Sequence, residues 1–170
     1  TFILMALFVG TIAKAQSDYT KSLNGIQWVK IESKTDITVK THSSNELLIK
    51  SGPKIKTPDR AKGLKLVGEG GTDNTDVGFS VVQDGNTLIV YNLRKSKGAE
   101  IYLPASQNIA VKSTWNGDIE IDGFSGEIEA NAQLNGSVKI WNVNGPVTAN
   151  SLNGQLEVVF GKVTQDSRSR

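Results

Sequence analysis

The stretch "WNVNGPVTANSLNGQLEV", Trp141 to Val158, carries two Asn-Gly pairs nine residues apart, each followed by an alternating apolar run. It belongs to a longer series. Asn116-Gly117, Ser125-Gly126, Asn135-Gly136, Asn144-Gly145 and Asn153-Gly154 place glycines at intervals of 9, 10, 9 and 9. An apolar residue precedes each pair: Trp115, Phe124, Leu134, Val143 and Leu152. After each comes x-Φ-x-Φ, with Φ apolar: "DIEI", "EIEA", "SVKI", "PVTA" and "QLEV". A short fixed period of this kind is the mark of a stacked architecture.

Asn-Gly is also the strongest hairpin signal, so an antiparallel meander is the rival arrangement. A straight meander strand keeps one alternation phase between turns. Here Ile121 to Phe124, Ile140 to Val143 and Ala149 to Leu152 are odd, three-residue steps. A bend inside each step returns both residues to the interior, which favours short strands joined by corners. The second Φ of each unit runs Ile121, Ala130, Ile140, Ala149, Val158. That large-small alternation sets two unlike half-coils per coil of about 18–19 residues. Stacking then aligns Ile119, Val138 and Leu156 in one inward ladder and Ile128 with Val147 on a facing sheet, where large residues oppose alanines and fill a thin core. Outside, Glu120, Lys139 and Glu157 stack with alternating sign. At the corners Gly is expected to take φ > 0, and Asn116, Asn135 and Asn153 to form an amide ladder.

Upstream, "IQWVKIE" (26–32), "DITVKT" (36–41), "ELLIKS" (46–51), "LKLVG" (64–68) and "AEIYLP" (99–104) read as short strands. "FSVVQDGNTLIVYN" (79–92) reads as a hairpin turning at Asp84-Gly85. No segment sustains a 3.6-residue apolar period. The expectation is an all-β chain: irregular N-terminal strands and a hairpin leading into a C-terminal single-stranded parallel β-helix, or β-solenoid, with regular repeats over residues 108–160.

"FILMALFVGTIA", Phe2 to Ala13, is an apolar run of signal-peptide length, and Ala13-Lys14-Ala15 has the small-x-small form of a cleavage site. The run is shorter than the ~20 residues of a membrane span. Residues 1–15 are therefore expected to be a signal peptide with its basic segment upstream of Thr1, and 16–170 a single extracytoplasmic domain with no transmembrane segment. The last repeat is followed by "VFGKVTQDSRSR" without a polar cap, so the native chain is expected to run on beyond Arg170.

The 170 residues hold 19 basic and 17 acidic side chains, a balance that argues against nucleic acid as a partner. Absence of cysteine excludes disulfides, thiolate metal sites and a Cys nucleophile. His42 is the single histidine, in the polar turn "KTHSSNE", and reads as a solvated loop residue. Asp118/Glu120 and Glu127/Glu129 alternate outward along strands, where no burial raises a carboxyl pKa for acid catalysis. "GEGGTDNTD", 68–76, offers oxygen ligands but matches neither an EF-hand nor a calcium nonapeptide, and reads as a mobile loop. No catalytic, cofactor or metal site is expected. The candidate contact is the basic stretch 50–65, where Lys54, Lys56, Arg60 and Lys62 would meet an anionic partner such as an envelope glycan or a phosphorylated lipid headgroup.

The Φ-Asn-Gly-x-Φ-x-Φ unit, after an "EIYLP" strand and an export signal, resembles a family of bacterial cell-envelope β-solenoid domains that bears the name adhesin by inference, its function largely unestablished. The resemblance is strong over residues 99–158 and supplies no catalytic or ligand residues. It implies a non-catalytic envelope or surface role, adhesion or scaffolding through an extended sheet face, with an envelope protein or anionic glycan as partner. The alternatives are a polysaccharide-active β-helix enzyme, against which the single Lys and lack of Arg between Trp115 and Val158 weigh, and an envelope-stress or signalling accessory. Exported protein is expected to begin at Gln16; N-terminal sequencing that finds Thr1 retained would contradict the cleavage site.

Overall fold

The computed structural model describes residues 18–52, 59–61, 63–95 and 98–162, and the stretch 1–15 expected to be a signal peptide lies outside them. The described chain is all-β, with a single 3-10 turn at Asp59–Ala61 and no α-helix. Its strands are β1 (Tyr19–Ser22), β2 (Trp28–Ser33), β3 (Ile37–His42), β4 (Glu46–Ile49), β5 (Val67–Gly68), β6 (Gly71–Thr72), β7 (Phe79–Asp84), β8 (Thr87–Asn92), β9 (Ala99–Pro104), β10 (Asn108–Ser113), β11 (Ile119–Asp122), β12 (Ile128–Ala132), β13 (Val138–Val143), β14 (Val147–Ser151) and β15 (Leu156–Phe160).

Two sheets face each other across one core. The first has the order β1-β4-β9-β3-β11-β13-β15, the second β14-β12-β10-β2-β8-β7, and β5-β6 form a separate ribbon. Both large sheets are mixed. Pairing is parallel from β9 to β15 and from β8 to β14. It is antiparallel where β1 and β4 extend the first sheet and β7 extends the second. The chain order is not sequential either, since β2 and β3 lie between β8/β9 and β10/β11. β2 and β3, early in the chain, thus sit mid-sheet rather than ahead of the repeats.

Within the repeats the register agrees with the expected ladders, but Leu156, on the edge strand, is 49% exposed and not inward. Ile119 pairs with Val138, and Val138 with Leu156; Ile128 pairs with Val147, and Ala130 with Ala149. Ile119, Ile121, Ile128, Val138 and Ile140 are fully buried, each burial favouring the fold by about 1.5–3 kcal/mol. Glu120, Lys139 and Glu157 share an outward row. The amides of the corner asparagines stack as well: Asn135 Nδ2 donates to Asn116 Oδ1 at 3.0 Å and Asn153 Nδ2 to Asn135 Oδ1 at 3.3 Å. A second column opens β11, β13 and β15. Asp36 Oδ1 accepts from the Asp118 N–H, Asp118 Oδ1 from Ser137 N–H, and Ser137 Oγ from Gln155 N–H.

The corner glycines work differently from expectation. None of Gly117, Gly126, Gly136, Gly145 and Gly154 has a positive φ. What demands glycine is approach: a Cβ on Gly136 would overlap the Gly117 carbonyl oxygen, one on Gly145 that of Gly126, and one on Gly154 that of Gly136. Left-handed backbone appears instead at Gly123 (φ 92°) and Asn142 (φ 52°). These two bends make the odd step that returns Phe124 and Val143 to the core, both fully buried. The third odd step does not return inside, because Leu152 is 64% exposed. Nor does the hairpin turn at Asp84-Gly85: Asp84 pairs with Thr87, leaving Gly85-Asn86 as the loop. Gly85 alone takes a positive φ, 57°, the type II′ pattern with Gly first.

Val138→Asp should cost several kcal/mol by burying an unpaired charge, and Gly136→Ala about 3 kcal/mol by forcing stacked backbones apart. Lys139→Gln on the solvated face should cost under about 1 kcal/mol. Urea denaturation checks all three, and equal losses at 138 and 139 would contradict a two-faced strand.

Candidate binding groove

At one corner of the stack the chain turns before the apolar residue of each unit can point inward. β10 ends at Ser113 and β12 at Ala132, both buried. Trp115 is consequently 58% exposed, Leu134 is half-buried, and Leu152 is out in solvent. Alternation alone would place Trp115 inside with Val111 and Ser113; the strand end overrides it. Exposed Trp at a position where the opposite corner buries Phe124 is a feature the core does not require.

Trp115 stands on a groove of about 980 Å³. Its floor is the outer surface of the second sheet, where Tyr91, Glu32 and Lys112 occupy one row on β8, β2 and β10. Thr114 and Gln133 continue the Trp115 side, and Val67 to Gly70 of the β5-β6 ribbon form the other wall. Lys34 and Glu69 bridge floor and wall at 2.6 Å. Both side chains are largely solvated, so the pair adds little stability, though its hydrogen bond holds the Glu69 carboxyl below the usual carboxylate range.

The loop that follows the ribbon, expected from sequence to be mobile, is closed by a dense set of its own hydrogen bonds. The buried Asp73 carboxylate accepts from Thr75 N–H and Oγ1, from Asp76 N–H and from Gly78 N–H at 2.9–3.0 Å. Those donors occupy the oxygens that a cation would need, and among the described residues no three His, Cys, Asp or Glu side chains form a metal cluster. Asn74 bonds both ways with the Val81 backbone. Beneath the loop, Arg94 lies 4.9 Å from the Phe79 ring centroid and donates from Nε to Val77 O and from Nη2 to Lys50 O. Burial lowers its pKa, Asp73 opposing the shift. Gly70 is needed because a Cβ there would overlap the Tyr91 ring.

Of the candidate contact residues read from sequence, only Arg60 is described. Lys54, Lys56 and Lys62 lie outside the described residues; Arg60 is exposed in the 3-10 turn and does not line the groove. His42 is not a free loop residue: it ends β3, its Nε2 lies 2.7 Å from Glu46 O, and its ring meets Tyr102 edge-on. Glu127 and Glu129 are exposed, and Asp118 is a strand cap. A separate polar cluster lies on the outer face of the first sheet. There Tyr102 Oη donates to Glu100 Oε1 at 2.6 Å, Lys40 Nζ to the same oxygen at 3.0 Å, and Lys50 Nζ to Asp18 Oδ2 at 2.8 Å.

An open groove with an exposed indole, a phenol, carboxylate, ammonium and amide groups can bind a polar ligand that also has apolar faces. No protein-family model, characterised protein or solved structure matches the chain.

The Asp18 carboxyl is held below its ordinary pKa by the hydrogen bond from Lys50 and then by that from the Ser51 N–H. A depressed folded-state pKa contributes stability above the ordinary carboxylate range and loses it as pH falls through the folded value. Asp18→Asn should therefore be less stable than wild type near neutrality, and urea midpoints of the two should converge in strong acid.

Proposed function

We propose that the chain is an exported, non-catalytic cell-envelope domain of the β-solenoid class that binds a glycan strand in the groove beside Trp115. The solenoid reading, a parallel β-helix closed at one end by antiparallel strands, is supported by the parallel register of β10 to β15 and by side-chain ladders 18–19 residues apart. It agrees with the resemblance to adhesin-named envelope domains, and the apolar leader with export. No helix among the described residues is long and apolar enough to cross a membrane.

The observation that carries the glycan reading is the exposed Trp115 face in a groove walled by polar side chains. Sugar rings present C–H faces that stack on aromatic rings and rims of hydroxyls that hydrogen-bond to carboxylate, amide and ammonium groups. Glu32, Lys112 and Gln133 supply those partners. A flat row of residues on rigid strands suits a polymer lying across it, which is the geometry of adhesion or scaffolding.

On an array of bacterial polysaccharides, Trp115→Ala should weaken binding about tenfold or more, with Trp115→Phe between it and wild type. Melting should be unchanged, since Trp115 is outside the core. Binding that survives Trp115→Ala undiminished would overturn the assignment.

A further inference from the structure

A second surface adjoins the groove's far wall. Leu64, Leu66 and Val67 are 75%, 47% and 74% exposed, three aliphatic side chains in four residues, with the charged Lys65 among them. They lie on the arm that enters β5, and that arm is fixed. The Asp73 N–H donates to Leu66 O at 2.8 Å, the Leu64 N–H to Ala61 O at 3.2 Å, and Val67 pairs with Thr72. Arg60 precedes the aliphatics and Lys65 lies between Leu64 and Leu66, both exposed. Upstream of Leu64 the sequence also holds Lys54, Lys56 and Lys62 against Asp59 alone.

We propose that this arm docks the domain on a bilayer leaflet bearing anionic headgroups, Leu64, Leu66 and Val67 entering the headgroup–acyl boundary while Arg60 and Lys65 stay at phosphate level. Two independent features favour this occupant. The charge is complementary to an anionic leaflet, near which each basic side chain strengthens binding roughly fivefold. The aliphatic cluster is what a lipid boundary rewards; an anionic glycan would use the charges and leave the aliphatics in water. The two surfaces share only Val67 and the ribbon behind it, so a membrane-seated domain leaves the Trp115 side of the groove open.

The chain has no cysteine, so one engineered thiol takes an environment-sensitive fluorophore at a single place. The full domain carrying Leu64→Cys, and a control carrying Val82→Cys, 48% exposed on β7, are mixed with phosphatidylglycerol or phosphatidylcholine vesicles. The label at 64 should shift blue with phosphatidylglycerol only, the shift should fade with salt, and the label at 82 should stay unchanged. In co-sedimentation, Leu64→Ser/Val67→Ser should lower vesicle binding about tenfold or more, with wild-type melting and undiminished binding to soluble polyphosphate. No blue shift, an equal shift at 82, or vesicle binding that survives the double substitution would each overturn the proposal. A parallel loss of polyphosphate binding would overturn it too, by showing a polyanion site in place of a lipid one. Trp115→Ala leaves the vesicle result unaltered, so the glycan and membrane readings fail separately.

Discussion

Backbone meets backbone at the repeat corners, and most of the described structure follows from that approach. The glycine carbonyl of one level sits where the next level's Cβ would be, at Gly117 beneath Gly136 and Gly136 beneath Gly154. Strand spacing is then held at the corners as tightly as in the sheets. Side chains of adjacent levels are forced into register, which lets Asn amides reach one another and lets Asp118 cap the strand above it. A thin interior tolerates no slack at that spacing, and Ile140 opposite a sheet lined by Ala130 and Ala149 fills it. One hydroxyl escapes the accounting. Ser113 Oγ is fully buried without a partner, in the row where Ser33 bonds to Asn92 and the next level carries Ala132.

The repeat was legible because its signals are local and redundant. Period, alternation and Asn-Gly spacing agreed on strands, ladders and register for β10 to β15. Two kinds of information were not local. Which level lies beside which is decided by pairing partners far apart in sequence, so nothing in "IQWVKIE" announces that β2 joins β10 on one side and β8 on the other. Whether an apolar residue after a strand faces in or out depends on where the strand stops. Phe124 and Val143 follow left-handed bends and go inside; Trp115 and Leu152 follow strand ends without one and stay out. Glycine misled by having two uses: close approach explains the corner glycines, positive φ explains Gly85 and Gly123.

The groove was illegible for a related reason. Its floor comes from β2, β8 and β10, its wall from the excursion between β4 and β7, and Trp115 from the repeat itself. The loop after the ribbon is built on one carboxylate: Asp73 gathers four donors, and Arg94 ties the same loop to the strand region around Lys50. The regular part of the chain supplies a flat, stiff platform and the irregular part gives it relief. Charge was a poor guide to the groove because its ionic groups are mixed in sign, and neither Arg60 nor Lys65 of the basic run that stood out in sequence lines it.

The stacked asparagines bear on how the molecule ages. Asparagine is among the least durable side chains, and before glycine it hydrolyses readily through attack of the following N–H on its own amide carbon. That attack needs a free side chain and a pliant glycine. In the column Asn116-Asn135-Asn153 each amide is engaged with a neighbour, and each following glycine is wedged against the level beneath. Conversion of Asn135 or Asn153 to aspartate would replace an amide donor with a carboxylate facing an acceptor oxygen. The column that orders the corner therefore also shields it from the chemistry its own dipeptide invites, and damage to one rung would loosen the protection of the next.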